Sequence, residues 1–262
     1  MKHTRGVLAR AAAAAALAAV AALTHADVLL VPDQYATIQA AIDAALDGDV
    51  IEIADGVYTG AGNKNLDFGG RAITVRSAAG DPECCIIDCE QDGRGFYFHS
   101  GETPDARLEG LTIRNGYVDR DSVDGRSGGG IYCEASSPTI VSCWILNNTA
   151  IERNAPGGGV HCNNNSNVQF ESCLISGNYG YIGGGVCAQV SSPNLTNCVL
   201  SANSAYYGGG ISLYQGVMQI TACTIQGNTA DDVAGGIACS SEGNAQCIDC
   251  LIADNVAGQA AG

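Results

Sequence analysis

The chain has 262 residues, with 12 Lys and Arg against 27 Asp and Glu, a formal charge of −15, 35 Gly and 13 Cys. Nucleic acid and anionic membrane surfaces are recognised by clustered cations, so this charge balance excludes both as partners. An apolar content of 46% is too high for a disordered chain.

In chain order, Lys2, Arg5 and Arg10 precede a short apolar run, Ala11 to Leu23, and Thr24-His25-Ala26 puts small residues before Asp27. This is the pattern of a secretory signal peptide over residues 1–26. The run is too short to span a bilayer, and no later segment is apolar enough to do so. No Cys follows the cleavage point, which argues against a lipid anchor. The mature chain is expected to be secreted or held at the cell surface. Losing the segment removes three cations and no acid, so the mature chain is more acidic still.

Residues 27–127 read as a cap and the irregular first coils of a solenoid. Asp27 to Val31 is a strand. Thr37 to Leu46 carries Ile38, Ile42 and Ala45 on one face, with Thr37 as N-cap and Gly48 as stop. This amphipathic helix would lie over the first coil and cover its unpaired strand edges. Strands are expected at Val50–Ile53, Ala72–Val75, Cys85–Ile87, Gly95–Phe98 and Leu108–Ile113. An acidic loop, Asp119 to Gly125, follows. Its Asp119, Asp121 and Asp124 miss the calcium-loop spacing, because Val123 and Asp124 stand where an oxygen ligand and a Gly are required. The loop reads as solvated charge.

Residues 128–262 repeat. Cys143, Cys173, Cys198, Cys223 and Cys250 recur at intervals of about 25 to 30 residues. Two residues after each stands Ile145, Ile175, Leu200, Ile225 or Ile252, and five after stands Asn148, Asn178, Asn203, Asn228 or Asn255. Three residues before stands Ile140, Phe170, Leu195, Ile220 or Cys247. Each unit opens on a Gly cluster and an Ile or Val, as in Gly128-Gly129-Gly130-Ile131 and Gly183-Gly184-Gly185-Val186. An older copy without Cys is Leu108 to Asn115.

Apolar residues recur at spacing two within short runs, which is strand periodicity, and Gly, Asn, Ser and Pro break every run. No helix fits between the runs, so equivalent strands of successive units must pair in parallel. One unit suffices for a coil of three short strands and three bends, rising about 4.8 Å per coil. The fold class predicted is all-β: a right-handed parallel β-helix with an N-terminal capping helix. Equivalent residues then stack in columns. Ile, Leu, Val and Cys fill the interior, and the Asn column hydrogen-bonds along the axis at a bend. Asn and Gly also tolerate the left-handed backbone of a sharp bend.

The repeat Cys read as a small apolar column rather than as bridges. Cys84, Cys85 and Cys89 are close enough in sequence to make a disulfide. Cys247 and Cys250 fit C-x-x-C, but both are explained by column positions, so no metal and no cofactor is expected. After Asn255 the next Gly-rich strand is due, and the chain stops at Gly262. Further coils or another chain are expected over that end.

These features resemble the pectin-lyase-like superfamily of right-handed β-helix proteins. Tyr35 to Ile42 and Asp49 to Tyr58 look like its N-terminal cap and first coil. The Gly-Gly-Gly-Ile and Ile-x-x-Asn elements look like the repeats of polymorphic outer-membrane-type surface proteins. The resemblance covers the mature chain and implies the fold. It implies no single activity, since members include lyases, hydrolases, esterases and adhesins.

The catalytic sets that the resemblance implies are not found. Lyases of the superfamily use a basic residue beside calcium-holding carboxylates, yet after Ser127 the only basic residue is Arg153. Hydrolases use clustered Asp with Gly-His-Gly, for which Gly159-Val160-His161-Cys162 is a poor stand-in. Asp231-Asp232 reads as a solvated turn, and the two Asp and Arg of the esterases are missing. Alternation places Tyr132, His161, Cys187, Ser212 and Ala238 in one outward column, and Glu134, Asn163, Gln189, Tyr214 and Ser240 in the next. Tyr132, Glu134, His161, Asn163, Gln189 and Tyr214 are the candidate ligand-binding residues, able to stack on and hydrogen-bond a glycan. His161 and Cys187, one coil apart, invite a base–nucleophile reading, but no third group orients the His. An exposed His beside a chance Cys is the better reading. The sequence thus favours a non-catalytic, structural or interaction protein of adhesin-like kind. The competing reading is a carbohydrate-active protein. The partner expected is a polysaccharide or a cell-surface protein.

Overall fold

A computed structural model describes residues 26–119, 127–151, 153 and 155–258. The signal-peptide assignment, Asp121 and Asp124 of the loop read as solvated charge, and the last four residues lie outside them. The fold is an all-β, right-handed parallel solenoid of about eight turns with one short helix.

Each regular coil is built from four short strands, not the three expected. In one coil they are β10 (Ile131–Glu134), β11 (Thr139–Val141), β12 (Trp144–Leu146) and β13 (Thr149–Ala150). The next coil repeats them as β14 (Val160–Asn163), β15 (Gln169–Glu171), β16 (Leu174–Ser176) and β17 (Tyr179–Ile182). Ile131 pairs with Val160, Ile140 with Phe170, Ile145 with Ile175, and Ala150 with Gly180, all in parallel register. The fourth strand follows the Asn, a stretch that reads as a bend in the sequence. Two later strands, Ile211–Thr221 and Ile237–Ile248, run through the first bend and join two strand columns into a 13-stranded sheet. Sheets of eight and six strands complete the wall.

The first coils follow the expected order with shifts. β1 is Val28–Val31, α1 is Ile38–Ala44 and β2 is Val50–Ile53. The Thr37 hydroxyl caps α1 by accepting from Ala40 N, and Ile38, Ala41 and Ile42 bury its apolar face in the core. Leu108–Ile113 is not one strand. It is β7 (Arg107–Glu109) and β8 (Thr112–Arg114), because Gly110 turns the chain with φ +64° between them.

The Cys column is internal, as expected. Cys143, Cys173, Cys198 and Cys223 are each at most 2% exposed, and all thirteen cysteines are free thiols, Cys84, Cys85 and Cys89 included. Each repeat thiol donates to the carbonyl two residues back at 3.2–3.4 Å. Burial pushes the Cys143 thiol up to about 12, so it stays protonated.

The Asn column forms a continuous ladder, buried from Asn148 to Asn228 and part-buried at Asn255. Each Nδ2 donates to the Oδ1 of the next Asn at 2.9–3.1 Å, and each backbone N–H donates to the same oxygen. The second Nδ2 hydrogen goes to a carbonyl of the preceding coil, as from Asn203 to Ile175 O at 2.9 Å. The ladder residues are not the left-handed ones. Positive φ falls one residue earlier, at Asn147, Gly177, Ala202, Gly227 and Asp254. The Gly triplets make room for the ladder. Gly183 is left-handed at φ +67°, whereas Gly184 and Gly185 are needed for space: a Cβ on Gly184 would run into Ser204 O and Gly209 O, and one on Gly185 would meet Gly210 O at 2.6 Å and the ladder's Asn203 Nδ2 at 3.1 Å. A second ladder went unread in the sequence. Ser136 N donates to Ser166 Oγ and Ser166 N to Ser191 Oγ, both at 3.1 Å.

Candidate functional site

The register places the outward columns as alternation predicts. Tyr132, His161, Cys187, Ser212 and Ala238 stand in one row, and Glu134, Asn163, Gln189, Tyr214 and Ser240 in the next. Their exposure differs from expectation. His161 is 2% exposed, Tyr132 8% and Cys187 0%, so the first row is sealed at this level. Glu134, Asn163 and Gln189 are half-buried, and Tyr214 is 44% exposed. An exposed His161 is therefore corrected to a buried one.

The row extends back to a residue that the sequence reading left out. Phe96 pairs with Ile131, so Gly93-Arg94-Gly95 occupies the place of a Gly triplet and Tyr97 stands beneath Tyr132. The Phe96-Tyr97-Phe98-His99 alternation was the available signal. Tyr97 and Tyr132 stack at 5.1 Å, and Tyr132 and His161 at 5.0 Å, with planes within 8°. The Arg94 guanidinium lies 5.0 Å from the Tyr97 ring centre and 5.4 Å from that of Tyr132. Tyr97 Oη donates to Glu134 Oε2 at 3.2 Å, and His99 Nε2 lies 3.2 Å from Asp67 Oδ2.

This setting removes the chemistry of the His161–Cys187 pair. Burial foremost, with the Arg94 charge adding to it, pushes His161 down to about 3, and Gln189 beside the ring offsets part of that shift. Neither ring nitrogen makes a well-aligned hydrogen bond among the described residues. Burial pushes the Cys187 thiol up. At neutral pH the pair is a neutral imidazole and a thiol, both out of reach of solvent.

Beside the sealed row lies an open groove of about 360 Å³. One wall is Ile182, Tyr207 and Val233, in register at the ends of the fourth-column strands. The other is Gln189, Tyr214 and Ser240, with Ser212 and Ala238 between the walls in the chain. The structure thus brings Gln189 and Tyr214 together in the groove and leaves Tyr132 and His161 outside it. Tyr207 was missed because its segment reads as a bend. Among the described residues no group of three or more His, Cys, Asp or Glu is placed to hold a metal ion.

A right-handed parallel β-helix with these columns defines a class of proteins, and the chain belongs to it: the family described as right handed beta helix region matches residues 55–257. Its fold is pectin-lyase-like. A pectate lyase is similar at 13% identity and a TM-score of 0.54, over 77% of this chain and 54% of that one, so the chain spans about half the length of that enzyme. A rice weevil pectin methyl esterase is similar at 12% identity and a TM-score of 0.51, over 87% of this chain and 89% of that one. Likenesses at this identity show the fold. No curated protein matches the sequence.

Proposed function

We propose that the chain is an exported β-helix protein, secreted or held at the cell surface, that works by binding rather than by catalysis. One observation carries the reading. On the outward column, the base and nucleophile candidates His161 and Cys187 are sealed and neutral, while the neighbouring groove stands open. An acid–base catalyst must reach its substrate and exchange protons near the working pH. His161 meets neither condition. Incubation with pectate and added calcium, methyl-esterified pectin and alginate should release no new reducing ends, unsaturated products or methanol. Turnover above a heat-denatured control would overturn the reading. Export is tested by mass spectrometry of the secreted protein, which should begin at Asp27.

A carbohydrate-directed enzyme is the second reading, favoured by the half-exposed carboxylates Asp67 and Glu134 beside His99 and Tyr97. Under it, turnover would be found and would be lost in both Glu134→Gln and His99→Ala.

A further inference from the structure

We propose that the groove between Tyr207 and Tyr214 takes an uncharged oligosaccharide; this rests on the reading of the chain as a binding protein. Tyr207 and Tyr214 stand on opposite walls, and an aromatic face suits the apolar C–H face of a sugar ring. Gln189, Ser212 and Ser240 supply amide and hydroxyl groups that donate and accept, as sugar hydroxyls require. The groove volume of about 360 Å³ lies within the usual range for small-ligand sites.

Charge decides the class of glycan. Among the described residues no Lys or Arg lines the groove. From Ser127 to the end of the sequence Arg153 is the only one of either. A uronate polymer would give up the hydration of its carboxylates against a wall with no cation to receive them. Asp232 sits beside the Tyr207 hydroxyl, and its negative charge adds to the burial that holds this phenol above its usual range. The same carboxylate would repel an acidic sugar. A neutral sugar meets no such opposition, so the groove discriminates by leaving an acidic ligand's charges unpaired.

The test is calorimetric titration of the full chain with neutral hexaoses (cello-, xylo- and manno-), with galacturonan hexaose and with glucosamine hexaose. At least one neutral hexaose should bind, and the galacturonan should bind at least about a hundredfold more weakly. Tyr207→Ala and Tyr214→Ala should each weaken binding by about tenfold. Tyr214 is half-exposed, so truncating it leaves the core and the melting temperature unchanged, and a loss of binding is not a loss of fold. Ser240→Lys should raise galacturonan binding and narrow the preference. The proposal is overturned if no neutral hexaose binds, if the acidic or the cationic sugar binds tightest, or if both Tyr variants bind as the parent does. Product release during the titration sinks the binding-protein reading itself, whereas tight binding of galacturonan without turnover sinks only the choice of ligand.

Discussion

The two halves of the solenoid fill the same tube in different ways. In residues 27–127 the interior is bulky and varied: Phe68 meets Phe98 at 4.9 Å and Phe96 at 6.1 Å, edge to face. The outer wall there carries ion pairs, Glu52–Arg76 at 2.8 Å, Asp88–Arg114 at 2.9 Å and Asp92–Lys64 at 2.9 Å. In residues 128–258 one solution is copied from coil to coil. Its hydrogen bonds run along the axis inside the wall, out of reach of salt and water. The first region holds together by local contacts, each replaceable. The second holds by columns in which every residue completes its neighbours.

The strongest test of this contrast is acid. His161 sits in the second regular coil, stacked on Tyr132, which stacks in turn on Tyr97 of the first region, and is held neutral with a pKa of about 3 against an ordinary 6.5. The unfolded chain takes up a proton near pH 6.5 and the folded one does not, so the native state loses stability as pH falls from about 6.5 toward 3. The loss should reach about 5 kcal/mol at its limit. Denaturant titrations at successive pH values measure it. His161→Phe, which keeps the ring stack, should flatten that limb, and an unchanged slope would show that His161 is protonated in the fold.

Next in size is the ladder. The Asn203 side chain makes four hydrogen bonds, accepting from Asn178 N and Nδ2 and donating to Asn228 Oδ1 and Ile175 O. Asn203→Ala strands the buried partners on both neighbouring coils, and the expected loss is about 3 kcal/mol or more. By contrast, Arg76→Ala breaks a part-exposed pair and should cost under about 1 kcal/mol. Its effect should shrink further in high salt, while that of Asn203→Ala should not. Equal costs at the two sites would erase the distinction between the halves.

Much of this was legible before any coordinates. A fixed period with apolar residues at spacing two specifies a parallel coil, and the Cys and Asn columns stand where that period puts them. Alternation also assigned Gln189 and Tyr214 to the outward face correctly. It could not tell that Tyr132 and His161, on the same face, are covered, because periodicity gives direction and not what lies above a residue. Nor could it reveal the wall of Ile182, Tyr207 and Val233. The stretch after each Asn is two to five residues long, too short to show a strand period, and it gains its strand only by pairing with its copies. Arg94 was hidden for the opposite reason: it interrupts the Gly cluster by which the units are recognised.

The smallest effect tests the backbone of the repeat. The residue before each ladder Asn is left-handed, with φ of 54°, 67°, 53°, 60° and 55° at Asn147, Gly177, Ala202, Gly227 and Asp254. Among these five, Ala202 combines a Cβ with no polar side chain to bond locally, and left-handed backbone costs such a residue about 1–2 kcal/mol. Ala202→Gly relieves that cost and gives back part of it through the greater freedom of Gly in the unfolded chain, about 0.5–1 kcal/mol. A net gain of up to about 1 kcal/mol is expected, read as a higher midpoint in urea with an unchanged slope. Gly227→Ala is the mirror of this change, at a position where a Cβ would meet nothing within 4 Å, and should cost a similar amount through backbone strain alone. If both substitutions moved stability in the same direction, the bends of the copied coils would not share one backbone conformation, and the columns that depend on it would lose their common register.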